Sequence, residues 1–226
     1  YTDFCLMSAN EELGQNAAAF FSNMLIGNLE ESYSRLLIAP YDMKKGLLRL
    51  IDNEIAKGKN GRIIIKTNSI TERDLIDKLS EASCAGVQID LIVRGICCIL
   101  PGIPEKTENI RVTSIVGRFL EHSRIYCFGK GEARQIYISS ADIMTRNQQR
   151  RVEIAAPILS KEHKDWFSFY LDLILMDNVK ARELTSLGTY VKKGKNGRDK
   201  ICVQQYYIDH PIQFAKSEIQ KNGFLW

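Results

Sequence analysis

Residues 62–95 constrain the fold more than any other part of the chain. "RIIIKTN" (62–68) and "VQIDLIVRG" (87–95) carry near-continuous apolar runs. The first is a short continuous apolar run and reads as a buried strand, and the second reads as the next strand. Between them "TERDLIDKLSEASCAG" (71–86) has helical apolar spacing, Thr71 and Asp74 in capping-box spacing, and Gly86 as a stop. Strand, helix and strand in this order require a parallel crossover. The core of the chain is therefore an α/β unit.

The flanks extend the pattern. "YTDFCLMS" at the start alternates and reads as a strand, and "NEELGQNAAAFFSNMLIGN" as a helix capped by Asn10 with acidic residues in its first turn. "LEESYSR" is a polar connector, "LLIAP" a short strand stopped by Pro40, and "DMKKGLLRLIDNEIAKGKNG" a helix with Leu47, Leu48, Ile51 and Ile55 on one face. From Ile110 to Ile158 the helices give way to short strands, "IRVTSIV", "SRIYCFG", "QIYISS" and "RVEIAAPI", with "GKGEAR" as a turn between antiparallel neighbours. "KEHKDWFSFYLDLILMD" resumes helix. "GTYVKKGKNGRDK" is a connector expected to be mobile, and a last helix is expected near "PIQFAKSEIQ". The fold class is α/β, a mixed sheet flanked by helices.

Composition narrows the function only slightly. A 226-residue chain with 45% hydrophobic residues can bury one large core or two small ones. The balance of 31 Lys+Arg against 27 Asp+Glu, a net +4, is too mild to argue for nucleic acid. No apolar run approaches the roughly 18 to 20 residues of a membrane span. The six cysteines show no CxxC pair and no metal-finger spacing. They are expected to be reduced cytosolic thiols, with Cys97 and Cys98 packing as small apolar residues.

Candidate chemistry gathers at strand ends. His122 and Arg124 are two residues apart in a strand-like run, so they share a side while Ser123 and Ile125 face the other. A titratable ring beside a permanent cation suits an anion such as phosphate. Lys66 and Asn68 stand at the mouth of one strand, Arg94 before a glycine at the end of the next, and "SSADIMTRN" returns Ser139, Ser140 and Asp142. Each has a structural alternative. Arg94 can be a salt-bridged surface residue, His122 a satisfied core histidine, the serines a strand end, and Asp142 a turn cap. "RNQQRR", with Arg146, Arg150 and Arg151, is either a solvated face or an anion site; His163 and His210 read as surface residues. There is no GxxxxGK[ST] loop and no GxGxxG turn, so any phosphate would be held by side-chain cations.

Taken together, "LIVRGICCILPG", "NIRVTSIVGRFLEHSRIYCFG", "YISSADIMTRNQQRRVEIAAPI" and "VKARELT" resemble the C-terminal part of bacterial polyphosphate kinases, the histidine-phosphorylating, phospholipase-D-like family. "YTDF" fits the same pattern, so the resemblance covers essentially the whole chain. It implies that residues 1–34 close a first phospholipase-D-like catalytic domain and that 35–226 form the second. It implies reversible transfer of the terminal phosphoryl group of ATP to inorganic polyphosphate through a phosphohistidine. In that family the nucleophilic histidine lies upstream of the Y-x-D segment and is therefore expected before Tyr1; the chain, which opens at Tyr rather than Met, reads as a piece of a longer one.

Carried over residue by residue, the resemblance makes Tyr1, Arg94 and His122 contacts to ATP. His122 also becomes the general acid, and Arg124 a holder of phosphate oxygens. It implies Mg2+ with ligands outside this chain and none within it, a homo-oligomeric full-length enzyme with ATP/ADP and polyphosphate as partners, and a cytoplasmic location with membrane association left open. The phospholipase D pattern itself departs at three places: Arg124 where lysine is usual, Gly129 where aspartate is, and Asp142 where asparagine is. These departures make phosphodiester cleavage the second choice, beside a non-catalytic module that binds nucleotide or polyphosphate.

Overall fold

The computed structural model describes residues 1–194 and 199–210. In chain order the elements are α1 (Glu11–Leu25), β1 (Leu37–Ala39), α2 (Met43–Ile55), β2 (Arg62–Thr67), α3 (Arg73–Cys84), β3 (Gln88–Val93) and β4 (Ile110–Ile115). They continue with β5 (Arg124–Phe128), β6 (Gln135–Ser139), α4 (Thr145–Gln149), β7 (Glu153–Pro157), α5 (Lys161–Met176), β8 (Ala181–Leu184), β9 (Tyr190–Lys192) and α6 (Val203–Asp209). The strands form one sheet in the order β1-β7-β6-β5-β2-β3-β4-β8-β9. Its centre, β2 with β3 and β3 with β4, is parallel, and every other pairing is antiparallel. The sheet is thus mixed and flanked by helices, as the sequence implies.

The central runs lack alternation because both faces are covered. Ile63, Ile65, Ile89, Leu91 and Val93 pack with Leu47 and Ile51 of α2 and Leu75 and Leu79 of α3. Their neighbours in sequence, Ile64 and Ile92, join Ile125, Cys127 and Ile136 against Phe167, Leu171 and Ile174 of α5. Burial of each such side chain contributes about 1.5–3 kcal/mol, so the centre of the sheet is a rigid base for the loops at its edge.

Several expectations need correction. "YTDFCLMS" is not a strand: only Thr2 pairs, in a single bridge with Glu121, and Leu6 and Met7 are exposed. The predicted capping box at Thr71 and Asp74 does not form. The helix begins at Arg73 with Glu72 as N-cap and no side-chain cap. The Thr71 and Glu72 amides donate instead to the Ile143 carbonyl, and Glu72 and Asp74 pair with Lys44. A tertiary carbonyl has replaced the local cap. Asn10 does cap α1, accepting from the Leu13 amide. Cys97 packs partly against the core while Cys98 is exposed, so only one of the adjacent pair behaves as a small apolar residue. The connector at 188–200 contains the edge strand β9, and its residues 195–198 lie outside the described residues, as does the helix expected near "PIQFAKSEIQ". Ahead of that stretch, "VQQYYID" forms α6.

Candidate active site

The site lies where β2 and β3 end and β5 begins. Arg124 opens β5 opposite Ser139, and His122 precedes it in extended chain on the same side, as their spacing requires. The His122 Nδ1 atom is 2.7 Å from Asp3 Oδ2. Arg124 Nη1 lies 3.4 Å from Nδ1 and 3.3 Å from Nε2, nearly equidistant, so the guanidinium rests along the imidazole rather than on one nitrogen. The Tyr1 ring meets the imidazole edge to face at 5.2 Å between centroids and is otherwise exposed. A cavity of about 350 Å3 opens beside these groups, lined by Asp3, His122, Arg124, Ser139 and Ser140.

Two carboxylates organise the cations. Burial works to raise the Asp3 carboxyl, yet the hydrogen bond to His122, the Phe4 amide and the charges nearby hold it below the ordinary carboxylate range. Asp142, buried, accepts from Arg124 Nε and Nη2 at 3.2 Å each, from the Thr67 hydroxyl at 2.9 Å and from the Asn68 amide at 2.8 Å. Desolvation again opposes its charge, and the Arg124 and Asn68 hydrogen bonds outweigh it, so its carboxyl also titrates low. Arg124 is therefore held two-pronged by protein, and its Nη1 edge is the part that faces the cavity side of the imidazole.

Arg94, just past β3, is partly buried. Its Nε lies 2.7 Å from both Asn68 Oδ1 and the Glu121 carbonyl. Among the described residues its two terminal NH2 groups make no hydrogen bond. Asn68 thus links Arg94 to Asp142 and so to Arg124. The structure brings together all four predicted site residues: Tyr1 and Arg124 on His122 directly, and Arg94 through the residue preceding it.

Other candidates go elsewhere. Lys66 is not at the mouth of its strand but 2% exposed, with Nζ reaching Ser123 O at 3.1 Å, Ser123 Oγ at 2.9 Å and Glu121 Oε2 at 3.2 Å. Burial pushes its ammonium down, with Glu121 opposing. Two stay on the cavity wall but are turned to structural partners: Ser139, the last residue of β6, donates its Oγ to the Ile154 carbonyl, and Ser140, just past it, donates to Glu153. Arg146, Arg150 and Arg151 form an exposed face, with Arg151 3.8 Å from Glu153. His163 is bound up with the Ser160 cap of α5, and His210 stacks on Tyr206.

Sequence reasoning missed Asp3 as the partner of the imidazole and Glu121 as the hub beneath Arg94. For Asp3 the signal was available: it is two residues from Tyr1, so in extended chain both face one side. Among the described residues no group of three or more His, Cys, Asp or Glu could hold a metal ion. Both site carboxylates are engaged by His122 and Arg124, so the described residues of the site do not fit a magnesium ion.

The family model "Polyphosphate kinase C-terminal domain 2" matches residues 36–204. The chain belongs to the polyphosphate kinase family. The polyphosphate kinase of Staphylococcus saprophyticus is 48% identical over 193 residues, covering 84% of this chain and 27% of that protein. That of Staphylococcus epidermidis is 41% identical over 230 residues, covering 99% and 31%. The crystal structure of the Porphyromonas gingivalis polyphosphate kinase superposes with a TM-score of 0.84 at 36% identity, over 96% of this chain and 33% of that one. Nuc of Salmonella typhimurium, a phospholipase D family member, gives a TM-score of 0.50 at 13% identity over 67% of this chain, a likeness of fold alone. The chain spans about a third or less of the length of these kinase relatives.

Proposed function

We propose that this chain is the C-terminal catalytic region of an ATP:polyphosphate phosphotransferase, residues 1–34 closing one phospholipase-D-like domain and 35–226 forming the next. The family match beginning at residue 36 supports that division. The observation that carries the functional reading is the arrangement around His122: an imidazole fixed by a carboxylate at 2.7 Å, with the Arg124 guanidinium along it and Arg94 bonded to the carbonyl of the preceding residue, Glu121.

In this reading Asp3 accepts the Nδ1–H of His122, leaving Nε2 to carry the exchangeable proton. As the bond between the terminal phosphorus and the bridging oxygen of ATP breaks, the Nε2 proton passes to that oxygen, and in the reverse direction it returns. The terminal NH2 groups of Arg94 and the Nη1 edge of Arg124 hold non-bridging oxygens while charge builds on them. Tyr1 offers its exposed ring to the nucleotide. The covalent acceptor is a histidine in the remainder of the polypeptide, and magnesium is held by groups outside this chain. The full-length enzyme acts as a homo-oligomer in the cytoplasm. No helix among the described residues is long and apolar enough to cross a membrane.

The test is incubation of the full-length protein with γ-labelled ATP and magnesium. Label is expected in an acid-labile, base-stable phosphoenzyme and in long-chain polyphosphate. Release of an alcohol or nucleotide from a phosphodiester, with no requirement for ATP, would overturn the reading.

A further inference from the structure

His122 sits at the end of a segment, residues 116–123, that belongs to no strand until Arg124 and is pinned from outside by α6. Gln204, in the first turn of α6 and 6% exposed, is the pin. Its Nε2 donates to the Phe119 carbonyl at 2.8 Å and to Glu121 Oε1 at 2.7 Å, and its Oε1 accepts from the Phe119 amide at 2.9 Å. One side chain satisfies both backbone groups of Phe119, as a neighbouring strand would, and also grips the carboxylate next to His122. Gly117 makes room for it: a Cβ there would stand 2.5 Å from Gln204 Oε1.

The other groups on Glu121 complete the linkage. Its Oε2 takes the Thr2 hydroxyl at 2.8 Å and the buried Lys66 ammonium at 3.2 Å, and its carbonyl takes Arg94 Nε at 2.7 Å. Thr2 in turn accepts the His122 and Ser123 amides through its carbonyl and carries Asp3 as its neighbour. The helix that supplies Gln204 is itself fixed, the Val203 amide donating to buried Asp177 at 2.9 Å and Tyr207 packing on Trp166 and Tyr170.

We propose that Gln204 is a positioning residue for His122: through Phe119 and Glu121 it sets the imidazole against Asp3 and Arg94 against its phosphate. The inference rests on the phosphotransfer reading for its kinetic consequence but not for its structural one. Misplacement of a reacting group by about 1 Å can cost 10²-fold in rate.

The experiment has two arms. In the isolated chain, 15N spectra of its three histidines, recorded with the rings neutral, report whether His122 carries its proton on Nδ1. Gln204→Ala is expected to erode that single tautomer. In the full-length protein the same substitution is expected to lower kcat by about 10- to 100-fold with KM for ATP changed no more than about threefold.

Gly117→Ala should reproduce both effects by displacing the amide, and in the Gly117→Ala/Gln204→Ala double variant the methyl meets no amide, so it should behave as Gln204→Ala alone. An unchanged tautomer and kcat in Gln204→Ala, or fully additive effects in the double variant, would overturn the proposal. A wild-type protein that transfers no phosphate, with the tautomer still eroded by Gln204→Ala, would sink the phosphotransfer reading and leave the positioning role standing.

Discussion

The Nδ1 atom of His122 and Oδ2 of Asp3 stand 2.7 Å apart although 119 positions separate them in sequence. A carboxylate in that place selects the Nδ1–H tautomer of the neutral ring and fixes its orientation. It reaches His122 because Thr2 is bridged to Glu121, one residue before the histidine.

Asp3→Asn keeps the size of the side chain and removes the charged acceptor. In the full-length protein it is expected to lower turnover by about 10²-fold, and His122→Ala by about 10² to 10⁴, measured as polyphosphate formed from ATP. Near-normal rates in His122→Ala would return the ring to a structural role.

Arg94 bonds two acceptors through its Nε and, among the described residues, leaves its two terminal NH2 groups without a hydrogen bond. Arg94→Ala is expected to weaken nucleotide binding by roughly 2–5 kcal/mol where the ligand buries that guanidinium. Titration calorimetry with a non-hydrolysable ATP analogue checks this, alongside a melt to separate the loss of the Asn68 and Glu121 contacts. Unaltered affinity would remove Arg94 from the nucleotide site.

The parallel centre of the sheet was readable because "RIIIKTN" and "VQIDLIVRG" are strand-like runs on either side of a helical stretch, and strand, helix and strand in that order demand a parallel crossover. The His122 and Arg124 pair was readable from a period of two. That Asp3 shares a side with Tyr1 could be read from the same spacing, but its pairing with His122 could not, since that depends on a single bridge between chain regions more than a hundred residues apart. Lys66 misled because a lysine at the end of an apolar run ordinarily reaches for solvent; here Ser123 and Glu121 supply acceptors inside. The capping box at Thr71 and Asp74 failed because the Ile143 carbonyl, invisible to local pattern, accepts the Thr71 and Glu72 amides ahead of the helix, and Asp74 turns to Lys44.

Asp142 predicts a pH dependence of stability. Its carboxyl titrates lower in the folded chain than in the unfolded one, with desolvation outweighed by Arg124 and Asn68. As pH falls below about 4 the unfolded chain takes up this proton before the folded one does. The stabilisation is therefore complete above that pH and is lost as pH drops through the folded value. Asp142→Asn, which leaves Arg124 without its charged partner, is expected to cost about 3 kcal/mol at neutral pH and progressively less below pH 4. Urea unfolding at pH 7 and pH 3 measures both; a cost independent of pH would show that the ion pair is not what Asp142 contributes.

Arg124 is the position at which this chain departs most tellingly from the phospholipase D pattern, where a lysine is expected. The guanidinium does two jobs that an ammonium cannot combine: Nε and Nη2 bind Asp142 in parallel at 3.2 Å, and Nη1 lies along His122. A lysine offers a single point of charge on a flexible stem, so it can satisfy Asp142 or approach the phosphate beside the imidazole, not both. Arg124→Lys is accordingly expected to destabilise the fold by about 1–2 kcal/mol, to lower kcat/KM for ATP by at least about tenfold, and to create no phosphodiesterase activity. Polyphosphate synthesis at the wild-type rate in this variant would mean that the two-pronged geometry is incidental. Cleavage of a chromogenic phosphodiester by it would mean that the arginine is what separates phosphotransfer from diester chemistry on this fold.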